Sequence, residues 1–361
     1  MRRRWLWLGL AALLLAVAAL LMTRGERPPG EAARPREVAF PRYPRGPQLE
    51  RMKQRRTLAP ASAPAAGAPQ EERNRDPVLT ALPGGKGVTA VVVEANALVA
   101  SPVGRLLLNC LGAGGGGDPF AEVQAKTGID LRRDVDRVAV FDDGFVVSGD
   151  FKQARFGEAL AGAAPTKYGD RATLYDTGAG GQSAFALWGG TMVVAGTPAA
   201  VRGAVDRLEG RAPAATPAIP AERAFGDVYG VVGGQLLGRL LGGDQSGLAR
   251  QFRAAAERIE LHVDAAGDVA LVAAVRGSAP AQVEDLGKAL GAALAVARVQ
   301  AQASGDTNLA ELLDFARVVP EGASFTMELA LPQAYLEKRL AECGRREPAS
   351  ASAPASAPAG E

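Results

Sequence analysis

The feature that most constrains the fold of this sequence is a hairpin pattern that occurs twice. Residues 136–151 read DRVAVFDDGFVVSGDF, two apolar runs joined at Asp143-Gly144, and an Asp-Gly pair readily takes the positive φ angles of a tight turn. Residues 257–276 read ERIELHVDAAGDVALVAAVR, in which Gly267-Asp268 separates two similar runs. The recurrence predicts two corresponding strand pairs in one chain.

The patterns around the two hairpins follow the same order. A strand pattern at 89–93 precedes helical patterns and the first hairpin, and a strand pattern at 225–232 precedes the second. The Pro- and Ala-rich stretch 211–222 separates the halves, as expected of a linker. We therefore predict an α+β fold of two tandem, diverged α/β units, residues 78–210 and 223–346, with mostly antiparallel sheets covered by helices.

Polar and apolar residues alternate in the strands of the second half. Glu260, His262 and Asp264 alternate with apolar residues, and Thr326 and Glu328 do the same in the last strand. A half-buried strand turns such residues to solvent. We therefore expect these polar side chains, including the one histidine of the chain, to lie on the surface.

The N-terminus carries an apolar run without charge from Trp5 to Met22. A helix of eighteen residues measures about 27 Å, close to the hydrocarbon core of about 30 Å. Ala16-Val17-Ala18 has the form of a signal-peptidase site, but the run continues beyond it. We predict an uncleaved transmembrane signal anchor at residues 1–23, with the lipid bilayer as its partner; a cleaved signal peptide is the alternative.

Charges on the two sides of this run oppose each other. Arg2–Arg4 favour a cytoplasmic N-terminus, whereas the four arginines that follow the run favour the reverse: Arg24, Arg27, Arg34 and Arg36. We predict a single-pass inner-membrane protein whose C-terminal domain lies in the periplasm, with the cytoplasmic orientation as the alternative.

Composition predicts unfolded segments at both ends of the globular part. Prolines recur through residues 24–77, and residues 347–361 repeat Ala, Ser and Pro, so we predict a disordered linker and a disordered tail. Lys and Arg outnumber Asp and Glu by 15 to 7 in residues 1–78, but are outnumbered by 26 to 32 afterwards. Because the predicted folded part is acidic, nucleic acid is not an expected partner.

Few residues could serve a metal or a cofactor. The chain has one histidine and two cysteines, and a zinc site needs three or four ligands. The glycine run at 112–117 contains G-x-G-x-x-G, but it follows a helical pattern, whereas a dinucleotide site needs a strand there. We predict no metal site and no cofactor, and we identify no small-molecule substrate and no catalytic residue.

Acidic residues gather around the first hairpin: Asp130, Asp134, Asp136, Asp142 and Asp143, interleaved with Arg132, Arg133 and Arg137. Turns and surface ion pairs account for such residues. A carboxylate-dependent hydrolase is the enzymatic alternative, and it needs two of these acids with well-separated pKa values in one cleft.

The two cysteines, Cys110 and Cys343, each lie near the end of a predicted helix, one at either end of the globular part. They are a candidate disulfide in an oxidising compartment, and two buried thiols are the alternative.

Three phrases carry a resemblance: TGIDLRRDVDRVAVF, FVVSGDF and GTPAAVRGAVDRLEG, all within residues 88–210. They resemble uncharacterised, membrane-anchored bacterial envelope proteins of unknown function, and the resemblance assigns no catalytic residue. From the predicted anchor, the spacer and the two-unit domain, we predict a non-enzymatic scaffold or protein-binding module that meets another envelope protein. A cytoplasm-facing component of a secretion or pilus assembly is the alternative if the anchor inserts the other way.

Overall fold

The chain folds around a large antiparallel sheet in a computed structural model that describes residues 38–55, 57–58, 75–112, 119–159, 163–176, 183–213, 215–233 and 247–340. The described strands are β1 (Ala90–Val93), β2 (Val135–Phe141), β3 (Gly144–Gly149), β4 (Pro165–Tyr168), β5 (Ala172–Asp176), β6 (Ala184–Trp188), β7 (Met192–Gly196), β8 (Val228–Gly233), β9 (Arg258–Asp264), β10 (Val269–Arg276), β11 (Ala316–Pro320) and β12 (Ser324–Leu331). They form one twelve-stranded sheet in the order β11-β12-β10-β9-β8-β1-β2-β3-β7-β6-β5-β4.

Helices cover this sheet. The described helices are α1 (Gly46–Gln54), α2 (Pro77–Ala81), α3 (Ala95–Ala100), α4 (Pro102–Gly112), α5 (Pro119–Thr127), α6 (Phe156–Ala159), α7 (Pro198–Leu208), α8 (Gly247–Ala255), α9 (Pro280–Ala303), α10 (Thr307–Asp314) and α11 (Gln333–Leu340), with a 3₁₀ turn at Ala221–Arg223. The predicted mixed fold, with an antiparallel sheet and covering helices, is confirmed.

The centre of the sheet is the antiparallel pair β1–β8, in which Ala90 pairs with Val231 and Val93 with Val228. This pair joins the strands of the first half of the chain to those of the second in one continuous sheet. The hairpins that the sequence predicts are β2–β3 and β9–β10, which lie directly beside the central pair on opposite sides.

Two layers of side chains pack against the sheet. On one side, which we call the α7 face, Ala90, Val92 and Val194 belong to a core with residues of α2 and α7. On the other, the α9 face, Ile259 and Phe325 pack with residues of α8 and α9. The two cores therefore lie on opposite sides of the sheet, and they meet at β8, where Val231 belongs to the first and Val232 packs against the second.

The local sequence explains why α7 begins where it does. The Thr197 hydroxyl accepts a hydrogen bond from Ala200 N at 3.3 Å, and Pro198 occupies the first turn, both preferred at helix N-termini. A buried stripe at helical spacing then follows: Val201, Ala204, Val205 and Leu208.

The predicted exposure of the polar residues in β9 and β12 is wrong. Glu260, His262, Asp264 and Glu328 are all buried, because their side of these strands is also covered. His262 stacks on the ring of Phe225, with centroids 4.1 Å apart, and its Nδ1 lies 3.0 Å from the Phe225 carbonyl oxygen. Burial lowers the pKa of His262, which favours the neutral imidazole.

Part of the predicted linker is structured. Residues 38–55 include α1 and lie against the sheet, and Leu58 forms a bridge with Arg75. The predicted anchor at 1–23 and tail at 347–361 lie outside the described residues. Within the described part of the chain, no helix is both long and apolar enough to cross a bilayer.

Candidate functional site

The most unusual polar arrangement involves residues 38–55, which we call the strap. Its helix, α1, has Pro47 in its first turn, and the Gln48 side chain accepts a hydrogen bond from Arg45 N at 3.1 Å. Gln48 is the buried residue of this helix, whereas Leu49 is exposed. Apolar burial therefore contributes little to holding α1, and polar contacts must do so.

Four arginines of the strap contact four buried carboxylates. The ion pairs are Arg42–Glu328 at 2.7 Å, Arg45–Asp264 at 3.1 Å, Arg51–Asp227 at 2.7 Å and Arg55–Glu94 at 2.6 Å. The carboxylate side chains are only 0%, 3%, 4% and 6% exposed in that order. Charges this deeply buried are costly unless paired, so the strap supplies charge that each of the four acids needs.

Glu328 and Asp264 each have a second side-chain partner. Arg317 also pairs with Glu328, and the Gln48 amide donates to Asp264 Oδ2 at 3.0 Å. The Gln48 contact comes from the strap itself, so it adds to the attachment that Arg45 provides.

The four acids lie in a row near one end of neighbouring strands. Glu328 is on β12, Asp264 ends β9, Asp227 precedes β8, and Glu94 follows β1. The distance across the sheet from β12 to β1 is four strand spacings, about 19 Å. The helical stretch of the strap rises about 15 Å, and the residues before it cover the rest, so the strap crosses five adjacent strands.

Asp227 illustrates the electrostatics of the row. Burial raises the pKa of Asp227, while the backbone N–H of Ala265, 2.7 Å from Oδ2, and the charge of Arg51 act in the opposite direction. The charge of Asp264 raises it again. The charge of Arg51 in the strap therefore favours the ionised form of this carboxylate.

A second group of charges adjoins the end of the strap. Arg137 is buried and donates from both Nη atoms to Asp76, at 2.6 and 2.9 Å. Burial lowers the pKa of Arg137, but the charge and hydrogen bonds of Asp76 raise it above its ordinary value. Asp76 also accepts from Val78 N at 2.9 Å at the start of α2, so one carboxylate fixes both a helix end and a buried guanidinium.

A register shift in β2 lies just before Arg137. The register of β2 with β3 shifts between Val135 and Arg137, and an extra residue in one strand re-aims the side chains around it. Val135 packs in a cluster with Phe151 and Val193, whereas Arg137 lies beside Asp76. Arg137 therefore lies on the same side of β2 as Ala139 and Phe141, and the shift turns Val135 to the other side.

Tyr229 contacts the end of the strap, where Arg55 also lies 3.9 Å from Asp76 of the second group. Its hydroxyl donates to Glu94 Oε1 at 3.0 Å, and the Arg55 guanidinium lies 5.3 Å from its ring centroid. Burial, followed by the charge of Glu94, raises the pKa of Tyr229, so the hydroxyl keeps its proton. Glu94 thus has both a charged and a neutral donor.

The acidic residues that the sequence places around the first hairpin do not gather in one site. Asp142 accepts from Thr89 N at 3.0 Å, and Asp134 accepts from Asp130 N at 2.9 Å. The hydrogen bond from Arg133, followed by that from Asp130 N, lowers the pKa of Asp134. Asp136 lines a cleft beside Arg137. A turn and the ion pair with Arg133 account for the contacts of Asp134, and the Thr89 backbone next to β1 accounts for that of Asp142.

Cys110 lies on α4, and Cys343 lies outside the described residues, so their pairing stays a prediction. Helix α4 packs against α11, which ends at Leu340, three residues before Cys343. Among the described residues, no group of three His, Cys, Asp or Glu side chains has the geometry to hold a metal ion.

Reasoning from the sequence does not single out the strap arginines, although a signal is present. Arg45, Gln48, Arg51 and Arg55 follow one another at spacings of three, three and four, which places them on one side of a helix. A search for apolar stripes overlooks this polar one.

Comparisons with known proteins add little. No protein-family model matches the chain, and no curated protein matches it. Among solved structures, crystal form I of TP0453 is similar with a TM-score of 0.40 and 14% identity, over 73% of this chain and 96% of that chain. A similarity of this size carries no argument about function.

Proposed function

We propose that this protein is a membrane-anchored, envelope-facing, non-enzymatic scaffold that presents its sheet domain to another envelope protein. The observation that carries the proposal is the strap. It is the first described segment after the predicted anchor, and four arginine–carboxylate pairs fix it to the sheet. A scaffold needs this kind of rigid connection between its attachment point and its folded domain.

The strap shortens the predicted tether. Between Met22, where the apolar run ends, and Val38, where the strap begins, there are fifteen residues, which span at most about 50 Å when fully extended. A flexible spacer over the whole of residues 24–77 would allow a much larger distance. In this proposal the domain works close to the bilayer, in the periplasm.

The strand order supports the proposal that the domain consists of two diverged units. From the centre outwards, one side reads β1-β2-β3-β7 and the other β8-β9-β10-β12. Helix α7 follows β7, and α11 follows β12 after one intervening residue. Joined edge to edge, two such units give a wide sheet whose breadth suits a scaffold.

The contacts of the first-hairpin acids do not favour the hydrolase alternative. A general acid needs a raised pKa, whereas the pKa of Asp134 is lowered. We therefore propose no catalytic role for this cluster.

Cell fractionation tests the anchored placement. We expect the full chain with a C-terminal tag to stay in the membrane pellet after alkaline extraction, and protease added to spheroplasts to remove the tag. Release by alkali would contradict the anchor. A protected tag that becomes cleavable only after lysis would instead favour the cytoplasm-facing alternative.

Limited trypsin digestion tests the rigid connection. We expect the strap of the purified full chain to resist cleavage and the double variant Arg51→Ala/Arg55→Ala to be cut at Arg42 or Arg45 at least tenfold faster. Lys53→Ala is the matched control, because Lys53 is 75% exposed and pairs only loosely with Glu50 at 3.7 Å. Equal cleavage rates in all three proteins would show that the strap is not held by its arginines.

A further inference from the structure

A polar cleft lies beside the point where the strap meets β2 and β3. It has a volume of about 310 Å³, and its lining includes Arg51 and Arg55 of the strap, Asp136 and Arg137 of β2, and Ser148 of β3. Arg137 and Ser148 are direct partners in the β2–β3 register. The cleft is therefore walled by the strap on one side and by the end of the sheet on the other.

Two donors on residues that line this cleft lack a hydrogen-bond partner among the described residues. They are Ser148 Oγ and Arg55 Nε, both buried from solvent. Ser148 as a whole is 7% exposed, and the side chain of Arg55 is 11% exposed. Buried polar atoms are nearly always satisfied, by protein, by ordered water or by a ligand, so this pair requires a partner that the described residues do not supply.

The chemistry of the pair defines that partner. Arg55 Nε can only donate, and the Ser148 hydroxyl can donate by rotation. The complementary group is an acceptor oxygen, and the guanidinium of Arg55 favours one that is anionic.

The carboxylates of the cleft limit the charge that it can accept. Glu94 is already paired with Arg55 Nη2 at 2.6 Å and with Tyr229, and Asp136 also lines the cleft. Their negative charge opposes a second anion, so the site suits one small oxyanion group and not a polyanion.

We propose that this cleft binds the oxyanion group of a small molecule, a carboxylate or a phosphate, between Ser148 and Arg55. The site goes beyond the scaffold function and does not depend on the membrane anchor. Because Arg55 belongs to the strap, an occupied site also adds a contact between the strap and the sheet.

The test is isothermal titration of the purified full chain with sodium acetate and, separately, with sodium phosphate, against sodium chloride at equal ionic strength. We expect saturable binding of acetate or phosphate that chloride does not reproduce. Acetate binding alone identifies a carboxylate site, and phosphate binding alone identifies a phosphate site. Heats identical to those of chloride for both anions would overturn the proposal and leave ordered water as the partner of the two donors.

Variants assign the binding to this cleft. Ser148→Ala removes one donor, and we expect at least tenfold weaker binding, with an unchanged circular dichroism spectrum. Arg55→Lys keeps a cation for Glu94 but removes the Nε–H, and we expect a similar loss. Ser324→Ala is the matched control, because Ser324 Oγ donates to the Glu321 carbonyl at an exposed turn. Unchanged affinity in both cleft variants would place the anion elsewhere and overturn the proposal.

Discussion

Replacing Arg51 with alanine tests whether the strap is held by charge. The change removes the guanidinium 2.7 Å from Asp227 Oδ1 and leaves the carboxylate with the Ala265 N–H. Loss of one partner costs about 3–5 kcal/mol for a fully buried pair, and up to about 1 kcal/mol for an exposed one. Asp227 is 4% exposed and Arg51 is 31% exposed, so we expect the free energy of unfolding to fall by about 2–3 kcal/mol.

A second substitution distinguishes the cost of losing the ion pair from the cost of leaving the Asp227 carboxylate buried and unpaired. When Asp227→Asn is added to the Arg51→Ala variant, the uncompensated carboxylate is removed, but an acceptor for the Ala265 N–H remains. We expect the double variant to be more stable than Arg51→Ala by about 1–2 kcal/mol at pH 7, since an unpaired buried charge is the larger part of the penalty.

The pH dependence of this difference has a definite sign. Burial raises the pKa of Asp227 in the folded protein, and loss of Arg51 raises it further. A carboxyl group with a raised folded-state pKa stabilises the fold below its unfolded pKa of about 3.9 and loses that contribution as the pH rises through the folded-state pKa. The difference in the free energy of unfolding between the single and the double variant should therefore become smaller as the pH falls from about 7 towards about 4.

Urea unfolding of the full chain, followed by far-ultraviolet circular dichroism at several pH values, measures these differences. Lys53→Ala, at an exposed position of the same helix, should stay within about 0.5 kcal/mol of the wild type. Either of two results would refute the reasoning: an Arg51→Ala variant as stable as Lys53→Ala, or a double variant no more stable than Arg51→Ala.

Three further predictions concern other parts of the fold. Gly291→Ala should stabilise α9 by about 0.5–1 kcal/mol, because a Cβ there meets nothing within 4 Å. Gly287→Ala in the same helix should destabilise the protein, because its Cβ would lie 3.0 Å from the Phe325 side chain. Thermal unfolding of the two variants measures this difference. Burial lowers the pKa of His262, so the wild type should lose stability as the pH falls below about 6.5, and His262→Phe should show a smaller loss in the same pH series. Cys110 and Cys343 should form a disulfide that stabilises by roughly 4–5 kcal/mol, visible as faster migration without reductant in denaturing electrophoresis; equal migration with and without reductant would contradict it.

The sequence predicts the elements of this fold better than their arrangement. The hairpins β2–β3 and β9–β10 lie where the turn signals place them, because those signals are local. The pairing of β1 with β8 is not local, since it joins Ala90 to Val231 in the other half of the chain. Both strands consist almost entirely of apolar residues, which is compatible with any central position, so neither strand identifies its partner.

The buried acids show where reasoning from alternation fails. The alternation predicts that Glu260 and Glu328 face solvent, because charged residues that alternate with apolar ones along a strand usually lie on its solvent-exposed side. That inference assumes that only one side of the sheet is covered. In this fold the strap and the segment around Phe225 cover the second side, and Arg42 of the strap, together with Arg317, supplies the compensating charge for Glu328.

The strap itself becomes predictable when two facts are considered together. A charged residue can be buried only with a partner, so a row of acids on a covered strand face requires a matching row of bases. Arg45, Arg51 and Arg55 recur on one side of a short helical segment, at spacings that suit a surface of regularly placed carboxylates. The proline content and the scarcity of apolar residues predict a disordered linker. Both features describe how much apolar surface a segment can bury, and neither describes which buried charges of the sheet it can neutralise. In a chain whose folded part carries an excess of acid, a basic segment next to it is therefore a candidate for part of the fold.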